Sequence, residues 1–179
     1  DQGTIVEETQ GTFIRKGRGI FLRPPGFDEA LRDENLIINP YKSGFQPSSY
    51  WEEHDQDLTF EKLVTNYFNI KPKGKITKFI FKLYNMLILT NVDERYKDIV
   101  GFNWYSDYVI AVNRLAASAM LNLSTSNYDV ILPEMFDNYG FDEVTHDNFR
   151  LAKLDAFPDD VILKFYFHRD FLFSRKELT

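Results

Sequence analysis

The chain has no cysteine among its 179 residues. That excludes a disulfide framework, a thiolate nucleophile and a cysteine-ligated zinc. No apolar run reaches the roughly twenty residues that a membrane-crossing helix needs. The longest, residues 83–89, has Asn85 inside it. Catalytic and phosphate-binding signatures are missing as well: no G-x-S-x-G, no G-x-x-x-x-G-K-[ST], no H-E-x-x-H and no G-x-G-x-x-G. Positive charge is in deficit. The net charge of −6 and pI near 5.1 exclude general nucleic-acid or anionic-membrane binding by the whole surface, since such partners require a positive field. The chain opens on Asp1 without a basic leader, which reads as a processed or trimmed chain.

What is present in excess is aromatic. Seventeen Phe, ten Tyr and two Trp make up 16% of the chain. Rings of this kind dominate cores and interfaces. Apolar residues at 44% and charged residues at 27% are ordinary globular values. A single domain over residues 1–179 is therefore expected.

The expected fold class is α+β, mainly helical, with central helices packed on a small antiparallel β element. Residues 1–10 are polar and read as a loose segment. Residues 11–23 hold two apolar runs around Lys16-Gly17-Arg18-Gly19, the chemistry of a β-hairpin loop. Residues 24–56 carry Pro24, Pro25, Gly26, Pro40, Gly44 and Pro47 and read as a long ordered loop with a few short elements in it. Helices are expected from Asp57 to Phe68 and from Lys75 to about Thr90. A third should run from Asp93 towards Asn122, with Gly101 as the point where it could kink or split and Tyr105, Val109, Val112, Ala116, Ala119 and Leu123 as its buried stripe. A short helix lies between Pro133 and Gly140, and Asp142 caps another to about Phe157. Residues 161–173 alternate as a strand does but are flanked by helix start and stop signals; the expectation is a strand paired with the N-terminal hairpin.

Candidate sites are few. Each histidine has a carboxylate nearby, and Glu143 with His146 forms E-x-x-H, a pair that di-metal bundles use in duplicate with further carboxylates. Only one such pair exists, so a mixed site of His54, Glu143 and His146, helped by Glu52, Glu53 and Asp55, is the alternative enzymatic reading. Asn103, Asp107, Arg114 and Ser118 form a polar seam on the expected third helix. Asn122-Leu123-Ser124 is a glycosylation sequon.

The leading expectation is therefore a non-catalytic structural or accessory subunit of a larger assembly, such as an organellar complex or a virus particle, with other protein subunits as partners and no cofactor. Its partner-binding residues would be Phe27, Tyr41, Phe45, Tyr50 and Trp51 in the long loop. A second set is Lys75, Lys78 and Lys82 with Phe81, Tyr84 and Ile88, where the lysines of residues 71–82 offer a local contact to phosphate or acidic groups. The plainer reading of that helix is a core element with a wet lysine edge. A further alternative is a small-molecule or carbohydrate binding module using Tyr50, Trp51 and Trp104, which a deep apolar pocket with few polar groups would favour.

Overall fold

A computed structural model of the chain describes residues 4–8, 11–16, 19–69, 78–124 and 127–178. The fold is α+β. Strands β1 (Thr4–Glu8), β2 (Gly11–Lys16) and β3 (Gly19–Arg23) form an antiparallel sheet in the order β1-β2-β3. The β2–β3 hairpin matches expectation, with Lys16 opposite Gly19; the turn residues Gly17 and Arg18 lie outside the described residues. The segment expected to be loose supplies β1.

Residues 24–56 carry short elements, as expected: α1 (Phe27–Arg32), β4 (Ile37–Ile38) and α2 (Ser48–Glu53), and β4 pairs with β5 (Leu58–Thr59). The prolines and glycines punctuate short elements. Gly26, at φ 85°, precedes α1, and Pro47 precedes α2. Asp28 and Glu29 in the first turn of α1 and Arg32 in its last complement the helix dipole. Helix α3 (Phe60–Leu63) is capped by the Thr59 hydroxyl, which accepts from Lys62 N, and not by Asp57. It continues as a π-helix (Val64–Phe68), closed by Asn69 N donating to Val64 O at 2.9 Å.

Helix α4 (Phe79–Val92) is the central element, with Phe79, Leu83, Met86, Leu87, Ile88 and Leu89 all buried. A helix apolar on nearly every side belongs inside. The expected start at Lys75 lies outside the described residues.

The expected third helix does not exist as one unit. Asp93 caps a 3-10 turn (Glu94–Tyr96), and α5 (Lys97–Val100) stops at Gly101, φ 84°. Strands β6 (Phe102–Trp104) and β7 (Val109–Asn113) follow, then α6 (Arg114–Leu121), whose first turn bonds to the Asn113 side chain. Val109 and Val112 fit helical spacing by coincidence, and the β-branched residues of Val109-Ile110-Ala111-Val112, buried on both faces, make that run a strand. Helix α7 (Tyr128–Asn138) contains Pro133, and the helix expected from Asp142 is replaced by β8 (Phe141–Glu143) and turns. The C-terminal strand β9 (Leu163–His168) forms, but pairs with β7 and β8 rather than the hairpin, giving an antiparallel sheet β6-β7-β9-β8.

That sheet separates two apolar clusters. Ile110, Val112 and Tyr166 face the larger, around α4; Val109, Ala111, Phe165 and Phe167 face the smaller, with Val144 and Ala152. The alternation is the two-residue period of a strand.

Gly101 is the tightest joint. An added Cβ would stand 2.6 Å from Ala117 N and 2.8 Å from Asn113 O, on a left-handed backbone. Gly101→Ala should cost about 2–5 kcal/mol by strain and overpacking together. Gly44, at φ 90°, has nothing within 4 Å of such a Cβ. Gly44→Ala should cost about 1–2 kcal/mol, from strain alone. Urea midpoints of the two variants check this; equal losses would refute the packing argument.

Candidate functional site: an aromatic pocket pinned by a buried amide

Asn85 is fully buried in the middle of α4. Its Oδ1 accepts from Gln46 N at 2.8 Å, while its Nδ2 donates to Gln46 O at 3.0 Å and to the Tyr67 hydroxyl at 2.6 Å. Trp51 Nε1 donates to the same Gln46 carbonyl at 3.3 Å. One side-chain amide thus ties together the turn before α2, the π-helix and α4. Three residues back, on the same face of α4, Lys82 is also buried. Its Nζ donates to Phe68 O and Asn69 O, each at 3.3 Å. An ammonium there meets the carbonyls at the end of the π-helix, where the helix dipole favours positive charge. Lys82 is therefore no part of a wet lysine edge.

Between these elements opens a cavity of about 440 Å³. Its walls are Tyr50 and Trp51 from α2, Tyr67 from the π-helix and Phe81 from α4, with Leu58 and Leu63 beneath. Trp51 meets Tyr50 edge-on at 4.9 Å and Tyr67 at 5.0 Å. The half-exposed Tyr50 ring stacks on His54 at 4.5 Å. His54 Nδ1 sits 2.8 Å from the Tyr50 carbonyl, the length of a donated N–H bond. Besides the two tyrosines and Trp51, the polar residues lining it are few: His54, Gln56, Lys62, Asn66 and Lys78. Burial pushes the Tyr67 hydroxyl well above its ordinary value of 10.0, with the Asn85 hydrogen bond opposing, so this wall is uncharged.

The sequence candidates are scattered by the fold. Phe27, Phe45 and Trp51 are buried in the chain's own core, Phe27 against Phe60 at 5.7 Å and Phe45 against Trp51 at 5.5 Å. Tyr41 and Tyr50 remain exposed. Lys78 and Phe81 reach the pocket; Ile88 is buried, Tyr84 lies edge-on to Phe173 at 6.3 Å, and Lys75 falls outside the described residues. His54, Glu143 and His146 do not converge: His146 stacks on Phe157 at 3.8 Å and Glu143 pairs with Lys164 at 3.6 Å. Among the described residues no group of three or more histidines and carboxylates is placed to hold a metal. Trp104 leaves the Tyr50–Trp51 pair and stacks on Phe173 at 5.7 Å, lining a separate polar cleft with Lys97 and Arg175. The polar seam is split between β6, the loop before β7 and α6. Asn85, Gln46, Asn66 and Tyr67 were not singled out from sequence; the available signal was one amide inside the apolar run of α4.

No helix among the described residues is long and apolar enough to cross a membrane. No family model and no curated protein matches the chain. Among solved structures it is similar to the T. vaginalis IBP39 initiator binding domain bound to the alpha-SCS Inr element, with a TM-score of 0.44 and 12% identity over 76% of this chain and 96% of that one. Two expectations are corrected on this finding: a non-catalytic structural or accessory subunit, and no general nucleic-acid binding. The similar structure is of a domain bound to a DNA element, and neither expectation is carried further. The likeness is too distant to carry that domain's binding over to this chain.

Asn85→Leu leaves both Gln46 N and the Tyr67 hydroxyl without their partner and should cost about 2–3 kcal/mol, whereas Tyr67→Phe leaves a single Asn85 N–H unmet and should cost about 1 kcal/mol. Equal losses in chemical denaturation would show that Asn85 is not the joint described. Tyr67, Tyr96 and Tyr166 all have hydroxyls pushed up by burial, Tyr96 to about 12. Unfolded tyrosine loses its proton near 10.0 while these stay protonated when folded, so their contribution is intact below pH 10 and is lost as pH rises further. Melting temperature followed from pH 8 to 12 should fall in the upper half of that range, and the fall should be shallower in Tyr67→Phe.

Proposed function

We propose that this protein is a binding module for a small, flat organic ligand, held in the pocket between α2, the π-helix and α4. The observation that carries this reading is the wall chemistry: aromatic faces surround an open cavity of about 440 Å³ with only a handful of polar groups. Ligand pockets are typically apolar clefts of this order of size with a few placed polar groups. Here the Asn85 and Lys82 hydrogen bonds hold the walls apart, so the space exists before any ligand arrives and binding forfeits little ordering entropy. The π-helix supports the same reading, since the extra residue per turn commonly occurs at functional sites. Asn66 and Tyr67, both within it, reach the cavity.

A neutral probe tests the pocket without prejudging its ligand. N-phenyl-1-naphthylamine should brighten on the wild-type protein with a Kd on the order of 100 µM, taking about −0.3 kcal/mol for each of about 17 non-hydrogen atoms. Asn66 is exposed at the pocket lip, so Asn66→Trp should fill the cavity while circular dichroism stays native. The expected result is loss of brightening in that variant. No brightening on the wild type, or equal brightening on both proteins, would sink the proposal.

A further inference from the structure

We infer that the ligand of this pocket is a nucleoside phosphate, whose base occupies the aromatic walls and whose phosphate meets Lys62 and Lys78. The inference rests on the pocket being a ligand site and names what would fill it. The charges lining the cavity run against those of the molecule: the chain carries −6, yet Lys62 and Lys78 line the pocket and no carboxylate among the described residues does. Neither lysine is in an ion pair among the described residues. Two neighbouring carboxylates are oriented by residues that do not line the pocket, though each keeps its charge. Asp55 accepts from Asn39 Nδ2 at 2.7 Å, and Glu61 accepts from the Thr65 hydroxyl at 3.2 Å.

Two ammonium groups call for more than one negative charge, and a phosphate monoester carries about −1.5 to −2 at neutral pH where a carboxylate carries one. The remaining groups fit a base. Tyr50, backed by the stacked His54, is half-exposed at the pocket. Stacking of a base on such a ring contributes roughly 1–3 kcal/mol with little regard to base identity. The exposed amides of Gln56 and Asn66 each offer a donor and an acceptor, the complement of a base edge. The same unit could arrive free or as a residue of a single strand.

Displacement of N-phenyl-1-naphthylamine distinguishes these sources. Among the four nucleoside 5′-monophosphates at least one should displace the probe with an affinity about tenfold or more above that of its own nucleoside and of inorganic phosphate. The preference should shrink at high salt, as charge contacts do. In the double variant Lys62→Gln/Lys78→Gln, both exposed positions, the preference should vanish while circular dichroism remains native. A short single-stranded oligonucleotide that displaces the probe more tightly than the monophosphate supports the unit within a strand; one that fails to compete while the monophosphate succeeds supports the free nucleotide. If the probe binds but no monophosphate displaces it, or nucleoside or inorganic phosphate does equally well, the nucleotide assignment is overturned and the pocket stands. If the probe itself does not bind, the pocket reading has failed.

Discussion

The structure around the pocket depends on one side-chain amide. A buried asparagine is costly unless its two N–H donors and its oxygen are met. Asn85 meets all of these demands with backbone and side chain from elements far away in sequence: both polar groups of the Gln46 backbone, and the hydroxyl of Tyr67. A leucine in its place could pack as densely, but nothing would then fix where the segment before α2 lies along α4. Apolar contact is non-directional, whereas this pair of bonds to Gln46 admits one register. The position of Trp51 follows, because its indole shares the Gln46 carbonyl.

Lys82 repeats the device one helical turn earlier, on the end of the π-helix. Lys78, Lys82 and Asn85 stand four and three residues apart and share one face of α4 and its approach. Along that face the environment changes by degrees: Lys78 is exposed at the pocket mouth, Lys82 buries its charge against carbonyls, and Asn85 is sealed within the core. Of the lysines that read from sequence as a wet edge, Lys78 is exposed, Lys75 lies outside the described residues, and Lys82 is instead a strut whose head group ends on protein rather than in water.

Legibility of the fold tracked how local its determinants are. The α+β class, the β2–β3 hairpin, the Asp93 cap and the apolar body of α4 are set by neighbours along the chain, and each was readable. The stretch 105–120 was not, because Val109, Val112 and Ala116 satisfy a helical period and a strand-then-helix equally. The deciding facts are Gly101, whose left-handed backbone stops α5, and the partner strand β9 far along the chain. In residues 24–56 the prolines and glycines announce short elements, and only the positions of those elements are not legible. The pocket was illegible as a unit because its walls come from three segments joined through Asn85 and Gln46, 39 residues apart. Only fragments showed: Tyr50 and Trp51 as candidate ligand-binding rings, and Lys78 and Phe81 as candidate contacts.

Net charge misled for a related reason. A formal charge of −6 describes the field of the whole molecule at a distance. At physiological salt that field decays over about 8 Å. Within a cleft of this size the nearest groups dominate, and among the described lining residues the charged ones are Lys62 and Lys78, with no carboxylate. Composition reports the sum of the charges and not where they stand, so a chain of net charge −6 can still line one cleft with lysines.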